Sequence, residues 1–90
     1  MNSKINIAIN EAKNIGPTIA KRLNEIGIYC LTDLAKVTPV NAYKQMVEKN
    51  DKKRLPICYY LYSLEGALLD LNWDDIPKEL KLELKKQIGN

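Results

Sequence analysis

The sequence predicts an all-α domain, a compact bundle of five to six short helices, and three observations predict it. Apolar residues recur at helical spacing through successive segments, and glycine and proline fall between those segments. Alternation of the kind a half-buried strand needs is confined to one stretch, Lys4-Ile5-Asn6-Ile7-Ala8-Ile9, which runs into Glu11-Ala12-Lys13 at a spacing a helix also accepts. That stretch is expected to be the first helix.

Asn14-Ile15-Gly16-Pro17 breaks it, and Pro17 suits the first position of a new helix, where its missing N–H would have no partner anyway. The next helix is expected from Pro17 to Ile26, with Ile19, Ala20, Leu23 and Ile26 on one face and Lys21, Arg22, Asn24 and Glu25 on the other. Gly27 sits where a left-handed cap is wanted, and Ile28 follows to pack back on the finished helix. A short helix from Leu31 to Val37 would bury Leu31 and Leu34. Thr38-Pro39 then reads as an N-cap and a first helical residue. The helix it opens carries Val40, Tyr43, Met46 and Val47 inward and dissolves into the polar run Glu48–Arg54, which has no apolar periodicity. From Ile57 to Leu71 the chain is apolar nearly all round, as a helix buried on most sides is; it is expected at the centre of the bundle. A last amphipathic helix from Pro77 to Ile88 buries Leu80, Leu84 and Ile88 and shows Lys78, Lys81, Lys85 and Lys86 to water.

Ninety residues make one domain, 1–90, with room for a core but not for a core and an elaborate catalytic cavity. No apolar run approaches a membrane-spanning length, and the start of the chain lacks an export signal, so a cytoplasmic location is expected. Cys30 and Cys58 form no CxxC pair and histidine is absent, which removes most zinc sites and every His-dependent nucleophile. Both thiols are read as reduced and partly buried. Neither a nucleophile–base pair nor a phosphate-cradling glycine loop occurs, so no enzyme, no cofactor, no metal and no small-molecule substrate are expected. The net charge of +3 is uneven: residues 1–54 hold ten Lys and Arg against five Asp and Glu, whereas residues 55–90 hold four against six. The basic half is the side for an anionic partner.

The segment Asn14-Ile15-Gly16-Pro17-Thr18-Ile19-Ala20-Lys21-Arg22-Leu23 resembles the hairpin of helix-hairpin-helix modules, with Ala20 as the small residue that lets the helices approach. A common form of that hairpin has two glycines flanking an apolar residue; Asn14 takes the place of the first, and Asn tolerates positive φ. Around it, Ile26-Gly27-Ile28, Asp33-Leu34, Ala42-Tyr43, Leu61-Tyr62-Ser63-Leu64-Glu65-Gly66-Ala67, Trp73 and Ile76-Pro77 stand in the order of the C-terminal domain of the TfoX/Sxy family of bacterial competence regulators, which the chain is similar to from Ala12 to Gln87. Cys30 stands where that family often has a capping Thr, and Thr38 where a glycine is frequent. The resemblance implies a bundle with a helix-hairpin-helix core (SAM/helix-hairpin-helix-like), here as a stand-alone domain. It also implies a transcription- or competence-regulator-related role.

The function expected is a non-enzymatic binding module with possible weak, sequence-tolerant DNA binding. Lys13, Gly16, Pro17, Thr18, Lys21 and Arg22 would meet a phosphate backbone, because amides at a helix start and the helix dipole both favour an anion. The alternative is protein–protein interaction or dimerisation, using the long apolar helix or the acidic Trp73-Asp74-Asp75 region. Glu65 is read as a satisfied carboxylate in the apolar helix, whose loss would destabilise. Gly66 is expected to let another helix pass close, and Trp73 to close the base of the core. Tyr29 and Tyr59 remain as surface aromatics that could stack on bases.

Overall fold

The computed structural model describes residues 7–50 and 55–89, and of Cys58 the backbone alone. Five α-helices follow one another: α1 (Pro17–Glu25), α2 (Leu31–Val37), α3 (Pro39–Lys49), α4 (Ile57–Leu69) and α5 (Lys78–Gln87). Single 3-10 turns precede α1, at Ile9–Glu11, and α5, at Trp73–Asp75. No strand occurs among the described residues.

Among the described residues the expected first helix is absent. Residues 4–6 of that reading lie outside the described residues. Beyond them Ala8 forms an isolated antiparallel bridge with Cys30, in which the Ile9 amide donates to the Tyr29 carbonyl and the Leu31 amide to the Ile7 carbonyl, both at 2.9 Å. Ile7 and Ala8 therefore lie in extended chain paired with Tyr29 to Leu31. Ile9 points into the core and Ile7 stays exposed, and only one 3-10 turn separates the bridge from the Asn14 corner. The helix-hairpin-helix core thus lacks a first helix in the described chain, and the all-α class holds without it.

The end of α1 follows the sequence rule closely. Gly27, at φ 87°, donates to the Asn24 carbonyl and Ile28 donates to the Leu23 carbonyl, the paired bonds of a Schellman motif. Ile28 is left 1% exposed, packed back on the helix it follows. At α2, Cys30 offers no side-chain cap, and Asp33 compensates by accepting from the Tyr29 amide at 3.0 Å. That hydrogen bond, with a smaller one from Cys30, holds the Asp33 carboxyl below its ordinary value. Thr38 caps α3 through a 3.4 Å bond from the Asn41 amide, at φ 78° and ψ 148°. This backbone region is one glycine enters freely and a β-branched residue does not, which explains the glycine of the resembling family. α3 continues through Lys49 rather than ending at Glu48, and residues 51–54 of the expected loop lie outside the described residues.

α4 lies at the centre, as expected. Leu61 and Leu64 are fully buried and Tyr60, Tyr62, Ser63 and Ala67 nearly so, against Ile19 and Leu23 of α1, Leu34 of α2 and Met46 of α3 in one core. The Tyr43 hydroxyl donates to the Leu55 carbonyl and fixes the entry to α4. At the other end the helix stops at Leu69, two residues before the expected Leu71, because Asp70 turns left-handed at φ 60° and ψ 40°. The Leu71 amide then returns to the Gly66 carbonyl at 2.9 Å. α5 packs Leu84 on the core, half-buries Leu80 and Ile88, and leaves Leu82 exposed. Lys81 is not in open water as expected: its ammonium lies 5.5 Å from the centre of the Tyr62 ring.

Gly66 makes room, but not for a helix. A methyl group there would stand 2.5 Å from Asn14 Nδ2 and 2.6 Å from the Leu71 carbonyl oxygen. Neither can withdraw freely, since one is backbone and the other is hydrogen-bonded. Gly66→Ala is expected to destabilise by about 2 kcal/mol, the usual scale of overpacking, and to lower Tm by roughly 10 °C in thermal unfolding.

Candidate nucleic-acid interface

The corner before α1 is set by Asn14, a residue at φ 72° whose side chain turns inward. Its Nδ2 donates to the Leu71 carbonyl at 2.7 Å and to the Ser63 carbonyl at 3.4 Å, and its Oδ1 accepts from the Trp73 amide at 3.2 Å. One side chain therefore links the corner to the end of α4 and to the turn leading to α5. With Asn14 fixed, Ile15 is buried and Gly16 emerges at φ −87° and ψ −178°, an extended conformation open to any residue.

Gly16 is the N-cap of α1 and Pro17 its first residue, so the first helical bond runs from the Ala20 amide to the Gly16 carbonyl at 2.9 Å. No side chain caps this end. A methyl group on Gly16 would meet nothing within 4 Å, so the space before the helix start is open. Around it Lys13, Pro17, Thr18 and Lys21 are exposed and Gly16 is half-buried. The polarity is that of an anion site, with the positive end of a nine-residue helix dipole and exposed lysines four residues before and after Pro17 in the chain.

Arg22 is not part of that opening. It is half-buried, its Nε donates to the Tyr60 hydroxyl at 3.1 Å, and its guanidinium carbon lies 5.7 Å from the Tyr60 ring centre. Five of the six expected contacts thus border the start of α1, and the sixth ties α1 to α4. The structural role of Asn14 was not visible in the sequence: its partners lie 49 to 59 residues away, and only its place at a hairpin corner hinted at anything.

Two other expected residues sit differently. Trp73 does not close the core; it is 45% exposed on the 3-10 turn, its backbone held by Asn14. Glu65 is half-buried with no hydrogen-bond or ion-pair partner among the described residues, and burial pushes its carboxyl above the ordinary value. It is therefore not the satisfied carboxylate the sequence suggested. Tyr29 and Tyr59 are exposed, as expected, at 60% and 50%. Cys30 is half-buried with a free thiol. The described residues contain no group of His, Cys, Asp and Glu that could hold a metal ion, and no helix among them is long and apolar enough to cross a membrane.

A second concavity, of about 900 Å³, opens between the bridge segment, α2 and the end of α4. Ile7, Leu31, Ala35, Ala67 and Leu68 line it, with Glu11, Lys13 and Asp70 on its walls.

Two predictions follow from these placements. Asn14→Ala loses the three bonds and keeps an unfavourable positive φ, whereas Asn14→Gly loses the bonds alone; the alanine variant should be the less stable by about 1 kcal/mol in chemical unfolding. For Glu65, a carboxyl raised in the folded state binds its proton more tightly there than when unfolded. Its contribution to stability is thus fully present below the ordinary glutamate range and declines as pH rises through and above that range. Glu65→Gln should remove this decline and unfold at a higher temperature than the parent at pH 7, with little difference near pH 3; an unchanged pH profile would count against the placement.

The model of the TfoX C-terminal domain family matches residues 5–88. None of the curated proteins matches the chain. Among solved structures, an uncharacterized protein from Listeria monocytogenes in a triclinic crystal form is 32% identical, with a TM-score of 0.77 over 88% of this chain and 86% of that one. A protein of unknown function from Listeria monocytogenes, in a tetragonal form, is also 32% identical, with a TM-score of 0.76 over 87% of this chain and 93% of the other. With the match running from the bridge segment to the end of α5, the chain belongs to the TfoX C-terminal domain family.

Proposed function

We propose that this domain acts by binding rather than by catalysis, as a transcription- or competence-linked module of the cytoplasm that holds a nucleic-acid backbone weakly and without reading its sequence. The observation that carries this is the uncapped, sterically open start of α1 with Lys13, Thr18 and Lys21 exposed around it. Phosphate oxygens are the natural ligand of such a helix end, and they carry no base information. The Asn14 anchor supports the reading, since a corner held by three hydrogen bonds presents its amides with little ordering left to do on binding.

A second reading is favoured by the apolar concavity beside α2: docking of a second copy of the chain there, with the α1 opening serving only as architecture.

The test is fluorescence anisotropy of a labelled duplex of about 20 base pairs at low and physiological salt. Non-specific binders of this kind reach a Kd of ~10⁻⁶ to 10⁻⁴ M at physiological salt. Lys13→Glu/Lys21→Glu is the informative variant, because Arg22 is left in place to hold Tyr60. We expect salt-sensitive binding that this variant loses, and a salt slope lowered by about 2 in the milder Lys13→Ala/Lys21→Ala pair. No binding at low salt would overturn the nucleic-acid reading, and concentration-dependent self-association in sedimentation would then select the second.

A further inference from the structure

The contact between α1 and α4 continues to the surface beyond Tyr60. Tyr59 meets the Tyr60 ring at a centroid distance of 5.0 Å and an interplanar angle of 81°, while remaining 50% exposed. Tyr60 is itself 5% exposed and holds the Arg22 guanidinium through its hydroxyl and its ring. A cation of α1, a buried aromatic and an exposed aromatic are therefore in successive contact. Lys21, adjoining Arg22, is exposed on the same helix; Glu25, one turn on, is its exposed acid.

We propose that Tyr59 is a stacking platform for an unpaired base, so that the domain prefers single-stranded nucleic acid to a duplex. The edge-to-face contact with Tyr60 restrains the Tyr59 ring, which lowers the ordering cost of laying a base on it. Stacking needs a π face and no particular hydrogen-bond pattern, and every base has such a face, so the platform is tolerant of sequence. A duplex cannot use it, because its bases are already stacked on one another and it offers a protein approaching from outside only backbone and groove edges. The charge that holds the strand comes from Lys21 and the opening of α1, and in that respect the inference rests on the backbone-binding reading above.

The experiment compares labelled twelve-residue oligothymidine and oligouridine with a twelve-base-pair duplex, by anisotropy at low salt, for the parent and three variants. Tyr59→Leu keeps apolar bulk without the ring, Tyr59→Phe keeps the ring, and Lys21→Ala removes charge; circular dichroism confirms that each is folded. We expect tighter binding of the single strands than of the duplex. Tyr59→Leu should weaken single-strand binding by roughly tenfold while leaving the duplex unchanged. Tyr59→Phe should match the parent, and Lys21→Ala should weaken all three ligands. Stronger binding of oligouridine or of oligothymidine would name RNA or DNA as the partner within the same chemistry. Single-strand binding unmoved by Tyr59→Leu, or duplex and single strands weakened alike, would overturn the platform and leave backbone binding standing. Failure of all three ligands to bind the parent would overturn both.

Discussion

The carboxamide of Asn14 is the interaction on which the rest of this structure depends. It spans from the corner before α1 to the carbonyls of Ser63 and Leu71 and the amide of Trp73, and so joins the beginning of the chain to the end of the central helix. Each such bond contributes on the order of 1 kcal/mol net, but the cost of leaving the Leu71 carbonyl and the Trp73 amide without it is larger where those groups sit partly away from water. The arrangement closes only because Gly66 has no side chain where Asn14 and the Leu71 carbonyl meet. It also needs Asp70 to turn left-handed, which ends α4 and swings Leu71 back toward Gly66. Three residues of unremarkable type, 14, 66 and 70, thus form one device. Removing any of them disturbs the other two.

The helices themselves were legible because their boundaries are chemical. Gly27 and Ile28 end α1 by the Schellman pattern, Thr38 and Pro39 open α3, and the apolar continuity from Ile57 marks α4 as central. What failed did so where local pattern is silent about distant partners. Ile5, Ile7 and Ile9 satisfy helical and extended spacing alike, and the decision falls to Tyr29 and Leu31, whose backbone groups pair with Ile7 and Ile9 across the chain. The end of α4 was misjudged by two residues because Leu71 looks as apolar as Leu68, while Asp70 between them takes the left-handed turn.

The candidate site was legible in part for the same reason. Lys13, Gly16, Pro17, Thr18 and Lys21 stand where a helix start places them, so sequence position alone brought them together. Arg22 has the same composition signal as Lys21 and a different fate, because one helical step turns it toward Tyr60 on α4. Trp73 and Glu65 invert the usual expectation: the large apolar ring is exposed while the charged side chain of the apolar helix is half-buried without a described partner. Burial ranks by residue type could not have shown this, since the backbone of Trp73 is held by Asn14 on an exposed turn and Glu65 belongs to the helix at the centre of the bundle.

Arg22 also shows why the number of basic residues is a poor guide to this surface. A guanidinium that is hydrogen-bonded to Tyr60 and held over its ring has exchanged part of its hydration for protein contacts, and it keeps its charge while losing its freedom. Charge so fixed still adds to the potential felt by an approaching phosphate, but it does so from a set position and at no further entropic cost on binding. Lys13 sits at the opposite extreme, exposed, and it lines the apolar concavity as well as flanking α1. The wall it shares there also carries Glu11 and Asp70, so that its charge stands among carboxylates and apolar side chains rather than among other cations of the described lining.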